Sequence, residues 1–290
     1  MRLEKRSPCK VNLLLNILGR RADGFHELES VLHPVNVCDG LTFARSGAGV
    51  ELSCSNANLP VDAQNLVHRA ATVFLQTANI SEGVKIHLEK RIPLAAGLGG
   101  GSGNAATTLL ALDELFGQPL GPAKLNELAV LLGSDVPFFL QDQPALAVGR
   151  GEQIEPLPPF PALHNKALLL IHPGFGVSTA WAYQALARFL GALNGRPGRA
   201  RELVSGLQAV DWPAGTNGFY NSLEAPVLEK YPLLALFQEF LRTNGALAAL
   251  MSGSGSTTFA IVENVHSAEA LNGKFKARFG QTCWTAVVRI

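Results

Sequence analysis

Cysteine is scarce in this chain, and what there is lies scattered. Cys9, Cys38, Cys54 and Cys283 form no Cys-x-x-Cys pair. Zinc-site spacing is therefore absent, and a disulfide framework is not expected in a chain of 290 residues. An excess of either charge is also missing. With 24 Lys and Arg against 23 Asp and Glu, the formal net charge is +1. Such a balance supplies no broad basic face, so nucleic acid is excluded as the principal partner and anions must be held by local geometry. Long apolar runs are lacking too. The stretch 167–171 is far too short to cross a bilayer. The opening Met-Arg-Leu-Glu-Lys-Arg-Ser-Pro has basic residues with no apolar stretch behind them, so no signal peptide is expected. Internal repeats and low-complexity segments are absent. The expectation is a soluble, cytoplasmic protein with reduced thiols and no membrane partner; nothing in the sequence speaks to its oligomeric state.

Apolar residues make up 47% of the chain and charged residues 16%, enough for one large core or two ordinary ones. Residues 11–18 and 28–37 read as strands, separated by the turn Arg20-Arg21-Ala22-Asp23-Gly24. Shorter strands are expected at 41–44 and 50–54. Leu66, Ala70, Val73, Phe74 and Thr77 share one helical face, which predicts an amphipathic helix over 66–78. A strand over 84–89, a helix over 105–115 and a helix Pro122–Leu132 follow. Strands at 145–148 and 167–172 flank the proline-rich Glu155-Pro-Leu-Pro-Pro-Phe-Pro161, whose stiffness makes it the best boundary candidate. Helices near 178–190, 222–229 and 233–242, a strand–loop–strand at 251–262, a helix to Phe279 and a strand to Val288 complete the chain. The pattern is α+β in two halves, 1–160 and 161–290, with mixed or antiparallel sheets.

The most informative segment runs Pro93, Leu94, Ala95, Ala96, Gly97, Leu98, Gly99, Gly100, Gly101, Ser102 and Gly103. A strand leads in and a helix leads out. Glycines placed where a helix begins leave backbone N–H groups facing one way, and the helix dipole adds partial positive charge there. The guest that this chemistry suits is a phosphate; the plainer alternative is a flexible turn. No Gly-Lys-Ser/Thr follows, so this is no Walker A loop, and the Gly-x-Gly-x-x-Gly spacing fails at Ser102 and at Asn104. Ser102 offers a hydroxyl to phosphate or to Mg²⁺, or serves as a helix N-cap.

Phosphoryl transfer also needs a cation and a group to orient the attacking hydroxyl. Lys10, at the head of an apolar strand, is one candidate; otherwise it is a strand-end residue reaching solvent. Asp135 lies in a tight turn before Val-Pro-Phe-Phe, where its carboxylate is either partly buried or a helix cap. A second loop, Met251-Ser252-Gly253-Ser254-Gly255-Ser256-Thr257, again permits close backbone approach to an anion, or forms a hairpin turn.

These segments, in this order, resemble the GHMP kinase superfamily of small-molecule kinases. The pieces are Ser-Pro-Cys-Lys-Val-Asn-Leu, Gly-Arg-Arg-Ala-Asp-Gly-Phe-His-Glu-Leu, Gln-Asn-Leu-Val-His-Arg-Ala-Ala, Gly-Leu-Gly-Gly-Gly-Ser and Leu-Gly-Ser-Asp-Val-Pro-Phe-Phe, together with Met251–Ser256. Within the superfamily they are most similar to the branch acting on a cytidine diphosphate-linked methylerythritol, in non-mevalonate isoprenoid precursor synthesis. The resemblance implies a two-domain α+β fold, with an N-terminal β/α nucleotide-binding half, a C-terminal ferredoxin-like half and ligands in the cleft between. It implies ATP and Mg²⁺, and transfer of the γ-phosphoryl to the tertiary 2-hydroxyl of a small-molecule substrate. Asp135 would be the general base and Lys10 its positioning cation. Residues 93–103, Ser252, Gly253, Ser254 and Gly255 would hold the phosphates, and Asn65, Leu66 and Lys90 would border the adenine. Asn12, Phe25, His26, Thr179 and Tyr183 would line the substrate side, with the rings of Phe25 and Tyr183 sandwiching the cytosine. Without the family, Phe25 reads as a buried turn anchor and His26 as a satisfied turn histidine.

Three positions depart from the family pattern. Gly103 stands where a second serine is usual, Cys9 replaces an alanine, and Phe25 replaces a tyrosine. The alternatives are a homoserine or mevalonate kinase, which would need a different segment at 22–26, and a nucleotide-binding regulator without turnover. Binding alone would require neither Lys10 nor Asp135.

Overall fold

Two long strands dominate the first fifty residues, β1 (Arg2–Arg20) and β2 (His26–Ser46). The computed structural model describes residues 2–209 and 218–290. The unbroken buried run of β1 is 9–17, with Leu18 only partly covered; its start alternates, with Arg2, Glu4 and Arg6 exposed and Leu3 and Lys5 partly covered. Polar residues on alternate positions hid that half from a search for apolar runs. The segments 28–37 and 41–44, expected as two strands, are one. Asp39 and Gly40 do not break it, because the Asp39 carboxylate is buried and accepts the amides of Arg91 at 2.7 Å and Ile92 at 2.9 Å.

The remaining elements are β3 (Val50–Cys54), α1 (Leu66–Thr77), β4 (Gly83–Glu89), α2 (Gly100–Leu115), α3 (Pro122–Leu132), β5 (Ala145–Gly149), β6 (Gln153–Pro156) and β7 (Ala167–His172). They continue with α4 (Thr179–Ala185), α5 (Leu190–Leu193), α6 (Arg199–Gln208), β8 (Tyr220–Asn221), α7 (Glu224–Lys230), α8 (Pro232–Thr243), β9 (Ala248–Met251), β10 (Thr258–Val262), α9 (Val265–Phe279) and β11 (Trp284–Arg289). The single helix expected over 178–190 is instead α4, a 3₁₀ turn Leu186–Arg188 and α5. None of the described helices is long and apolar enough to cross a membrane.

The chain forms two compact units. The first comprises Met1–Cys9, Asn36–Ile92 and Gly99–Asp142; the second comprises Lys10–Val35, Pro93–Leu98 and Gln143–Ile290. The proline-rich stretch 155–161 lies in the second unit, its first residues ending β6.

In the first unit β4 lies between β2, antiparallel with Phe43 opposite Ile86, and β3, parallel with Leu52 opposite Ile86. Helix α1 buries Val67, Ala70, Ala71, Phe74 and Leu75; of the face expected from the sequence only Ala70 and Phe74 are buried, while Leu66, Val73 and Thr77 are half-buried beside it. Helix α2 is buried along most of its length, from Gly103 through Leu109 and again at Ala111–Asp113 and Leu115.

In the second unit the strand order is β11-β7-β10-β9, all antiparallel. Every residue of β7 is buried, which explains its unalternating Ala-Leu-Leu-Leu-Ile-His sequence. Helices α8 and α9 cover the sheet through Leu234, Phe237, Leu241, Leu271 and Phe275. Phe237 meets Phe275 and Phe279 edge-on, at 4.8 and 4.9 Å between ring centres. Truncating such a ring to alanine costs about 3–5 kcal/mol. Elsewhere in this unit β8 pairs in parallel with β1, and β5 runs antiparallel to β2 and β6.

Candidate active site

The second unit gathers most of the expected residues. Segment Pro93–Leu98 lies against the loop that joins β9 to β10. At Gly97 the backbone φ is +75°, and a Cβ would stand 2.0 Å from the carbonyl oxygen of Ser252. Only glycine fits this contact. Ser252 Oγ donates to Gly97 O at 2.9 Å, and the Thr257 amide donates to Ala96 O at 3.1 Å. Segment Pro93–Leu98 and the second loop thus form one hydrogen-bonded body.

Lys10 lies within the buried run of β1 and is 3% exposed, so it is not a strand-end residue reaching solvent. Its amide donates to Leu98 O at 2.9 Å, and its ammonium donates to Asn12 Oδ1. Asn12 in turn donates to Ser30 Oγ at 2.9 Å, and Ser30 Oγ donates to Leu14 O at 2.6 Å. A Cβ on Gly253 would lie 3.4 Å from both Lys10 Nζ and Asn12 Oδ1, so the second loop abuts this pair directly. Buried, hydrogen-bonded cations of this kind are costly unless they serve a partner or a ligand. Thr179 starts α4, and its hydroxyl meets Ser254 Oγ at 2.8 Å. Lys10, Asn12, Thr179 and residues 252–255 are therefore neighbours.

The turn between β1 and β2 carries Phe25 and His26. Phe25 is 52% exposed, not a buried anchor, and the Arg150 guanidinium lies 4.7 Å over its ring. Asp23 Oδ1 accepts the Phe25 amide at 3.1 Å and braces the turn. His26 stands 5.0 Å from the Tyr183 ring, tilted by 39°. Partial burial, with a smaller contribution from Arg20, holds the His26 pKa below its ordinary value. The imidazole is consequently neutral near pH 7 and can both donate and accept.

The first unit holds the rest. Helix α2 begins at Gly100, earlier than the expected residue 105, because the glycines at 100, 101 and 103 are themselves helical. Its N-cap is Gly99 in the left-handed region at φ +68°, without a side-chain cap bond. Ser102 is accordingly the third helical residue rather than the N-cap. The amides of Gly100, Gly101 and Ser102 have no partner within the helix and make a ready anion site.

Beneath that first turn sits a buried polar set of which the sequence singled out Lys90 alone. Lys90 Nζ donates to Asp39, with side-chain exposures of 5% and 0%, and also to Asn104 Oδ1 at 3.4 Å. Asn104 Nδ2 donates to Asp39 at 2.9 Å and to Ser7 Oγ at 3.0 Å. The Lys90 ammonium is thus committed to Asp39 under α2. Asn65 is the N-cap of α1: its Oδ1 accepts the Val67 amide at 2.9 Å and its Nδ2 donates to Pro60 O at 2.8 Å. Leu66 is half-buried beside Gly101, where a Cβ would touch it at 3.6 Å. Asp135 is half-buried in the turn after α3, in which the Val136 amide donates to Gly133 O at 3.1 Å. No group of three or more His, Cys, Asp or Glu side chains among the described residues is arranged to hold a metal.

Comparison with known proteins identifies the family. Residues 65–150 match the GHMP kinases N terminal domain, and residues 187–281 match the GHMP kinases C terminal domain. The chain is 41% identical over 269 residues to a 4-diphosphocytidyl-2-C-methyl-D-erythritol kinase of Pelotomaculum thermopropionicum, covering 92% of each chain. A kinase of the same description from Synechococcus sp. (strain JA-2-3B'a(2-13)) is 39% identical, over 93% of this chain and 88% of its own. The crystal structure of a 4-(cytidine 5'-diphospho)-2C-methyl-D-erythritol kinase superposes with a TM-score of 0.79 at 33% identity, covering 99% of this chain and 100% of that one. A homoserine kinase from Cytophaga hutchinsonii gives 0.75 at 22% identity over 99% and 93%, a likeness of fold alone.

Proposed function

Because the chain belongs to the GHMP kinase family, we propose that it phosphorylates the 2-hydroxyl of 4-diphosphocytidyl-2-C-methyl-D-erythritol from ATP. The observation that carries this reading is the buried Lys10–Asn12 pair set against Gly253, within a chain matched over 92% of its length by a kinase of that description. ATP supplies the γ-phosphoryl group, and Mg²⁺ would screen its β- and γ-oxygens.

The donor set suits such a guest. The first-turn amides of α2 and the glycines at 97, 99, 253 and 255 present backbone rather than side chains, and the Ser102 hydroxyl would complete the Mg²⁺ shell. The phosphate oxygens themselves would supply most of the metal's ligands. Asn65 and Leu66 would border the adenine. Lys90 would act from beneath the loop, as Asp39 holds it there.

Asp135 takes the proton of the attacking tertiary hydroxyl, and Lys10 orients that oxygen while countering the charge that builds on it. Asn12 fixes the Lys10 ammonium and is itself fixed by Ser30. Neutral His26 reads the cytosine edge, while Phe25 and Tyr183 supply the faces against which the base stacks. Thr179 steadies Ser254 at the phosphate end.

Coupled ADP release tests the reading, with the cytidyl substrate assayed beside homoserine and mevalonate. Turnover of the cytidyl substrate alone is expected. Turnover of homoserine or mevalonate instead would reassign the substrate, and no turnover by folded protein with Mg²⁺ would defeat the kinase reading. Asp135→Asn should lower kcat by about 10²–10⁴ while nucleotide still binds. Wild-type turnover in that variant would remove Asp135 from the base role.

A further inference from the structure

The first half of the second glycine loop is tied to side chains that the proposed chemistry does not use. Asn221, on the short strand β8, is 2% exposed. Its Nδ2 donates to Met251 O at 2.7 Å and to Gly253 O at 2.8 Å, and its Oδ1 accepts the Leu223 amide at 2.9 Å. Both donors of the amide and one acceptor site on its oxygen are therefore used, the two donors on one loop. Three residues on, Glu224 Oε1 accepts the Met251 amide at 2.7 Å and the Gln238 side-chain amide at 2.7 Å. Met251 is thus gripped by both of its backbone polar groups, from two residues of one short segment.

A planar trans peptide gives this grip a direction. The Gly253 carbonyl and the Ser254 N–H belong to one peptide unit and point opposite ways. Drawing Gly253 O onto Asn221 turns the Ser254 N–H away from Asn221, in a loop whose Gly253 abuts Lys10 and Asn12. No described hydrogen bond takes that amide.

We propose that Asn221 is a positioning residue for phosphoryl transfer, orienting the Ser254 amide as a fixed donor to the phosphate of ATP by holding the Met251 and Gly253 carbonyls. Asn221 acts through the loop and touches neither substrate nor nucleotide. The assignment rests on the kinase reading for its ligand and on the hydrogen bonds alone for the clamp.

Asn221→Asp is the sharpest test, since it keeps the shape and the acceptor to Leu223 but sets a carboxylate oxygen against two carbonyls. Ser222→Ala is the control. That neighbouring hydroxyl accepts the Ile17 amide at 2.9 Å and makes no described contact with the loop. Hydrogen exchange is measured without ligand on the peptide spanning 248–257, and KM and kcat are then measured for both substrates. Exchange at least tenfold faster and kcat/KM for ATP at least tenfold lower are expected in Asn221→Asp, with KM for the cytidyl substrate within twofold. Ser222→Ala should change the melting temperature only.

Unchanged exchange, or faster exchange with ATP kinetics within twofold of wild type, overturns the proposal. Should the aspartate variant fail to fold, Asn221→Ser keeps one donor and should give an intermediate effect; failure of both to fold makes Asn221 a folding determinant and also overturns it. If the wild-type protein turns over no substrate, the kinase reading fails, while the ligand-free exchange still decides the clamp.

Discussion

A Cβ placed on Gly103 would stand 2.6 Å from the carbonyl oxygen of Pro8 and 3.1 Å from Ser7 Oγ. The second helical turn of α2 therefore packs against the backbone of β1 with no room for a side chain. This accounts for glycine at 103, where the family resemblance leads one to expect serine: the missing hydroxyl accompanies a closer approach of two backbones. Gly103→Ser should destabilise by about 1–3 kcal/mol through overpacking, and lower the melting temperature by several degrees. Gly103→Ala should do the same, because the Cβ rather than the hydroxyl collides. A serine variant melting at or above wild type would show that Pro8 yields.

The sequence made the glycine segments visible because backbone approach demands glycine whatever the neighbours are, and Gly97 against Ser252 O bears this out. Lys10 was visible as a charge out of place in an apolar strand, although its burial was not. Asn221 and Asp39 gave no signal of their own. Each looks like an ordinary strand or turn polar residue, and its meaning lies in partners 30 and 52–53 positions away. Helix α6 escaped for a related reason. Its first turn is rich in arginine, and it is anchored by the buried Glu29, which accepts the amides of Gly198 and Ala200 at 3.1 Å each. Periodicity reports which face a segment buries, whereas a long-range cap leaves no local pattern.

Arg150 lies over one face of the Phe25 ring, which leaves the opposite face for a base. A guanidinium backing the ring fixes its plane and contributes about 1 kcal/mol at a partly exposed site. Arg150→Ala should therefore raise KM for the cytidyl substrate roughly fivefold, with kcat near wild type, as expected for loss of binding common to ground and transition states. Arg150→Lys should fall between. A lowered kcat at constant KM would move Arg150 from base stacking to the transferring phosphate.

His33 links folding to acid. Burial beside Phe160 drives its pKa from 6.5 down to about 4, and the contact with Pro34 O only partly opposes this. The unfolded chain binds the proton first, so stability is full above pH 6.5 and declines as pH falls towards 4, where it levels off. A shift of that size is worth roughly 3 kcal/mol at most. Urea unfolding between pH 7.5 and 4 should show the decline, and His33→Gln should flatten this part of it. An equal slope in the variant would assign the loss to other groups.

Glu224 should show the opposite sign. Burial raises its pKa; the Met251 amide, the Gln238 side chain and the Arg242 charge oppose the rise without cancelling it. A carboxyl whose folded pKa lies above its unfolded value favours folding below the unfolded value near 4.5, and that contribution is lost as pH rises through the folded value. Glu224→Gln keeps an oxygen for both hydrogen bonds and removes the charge. Its stability relative to wild type should therefore climb as pH rises above about 4.5 and then hold steady. Unfolding curves at pH 4.5, 7 and 9 would show the widening gap. A gap that narrows towards alkaline pH would mean that the Arg242 attraction outweighs burial, and that the carboxylate grips the Met251 amide more firmly when charged.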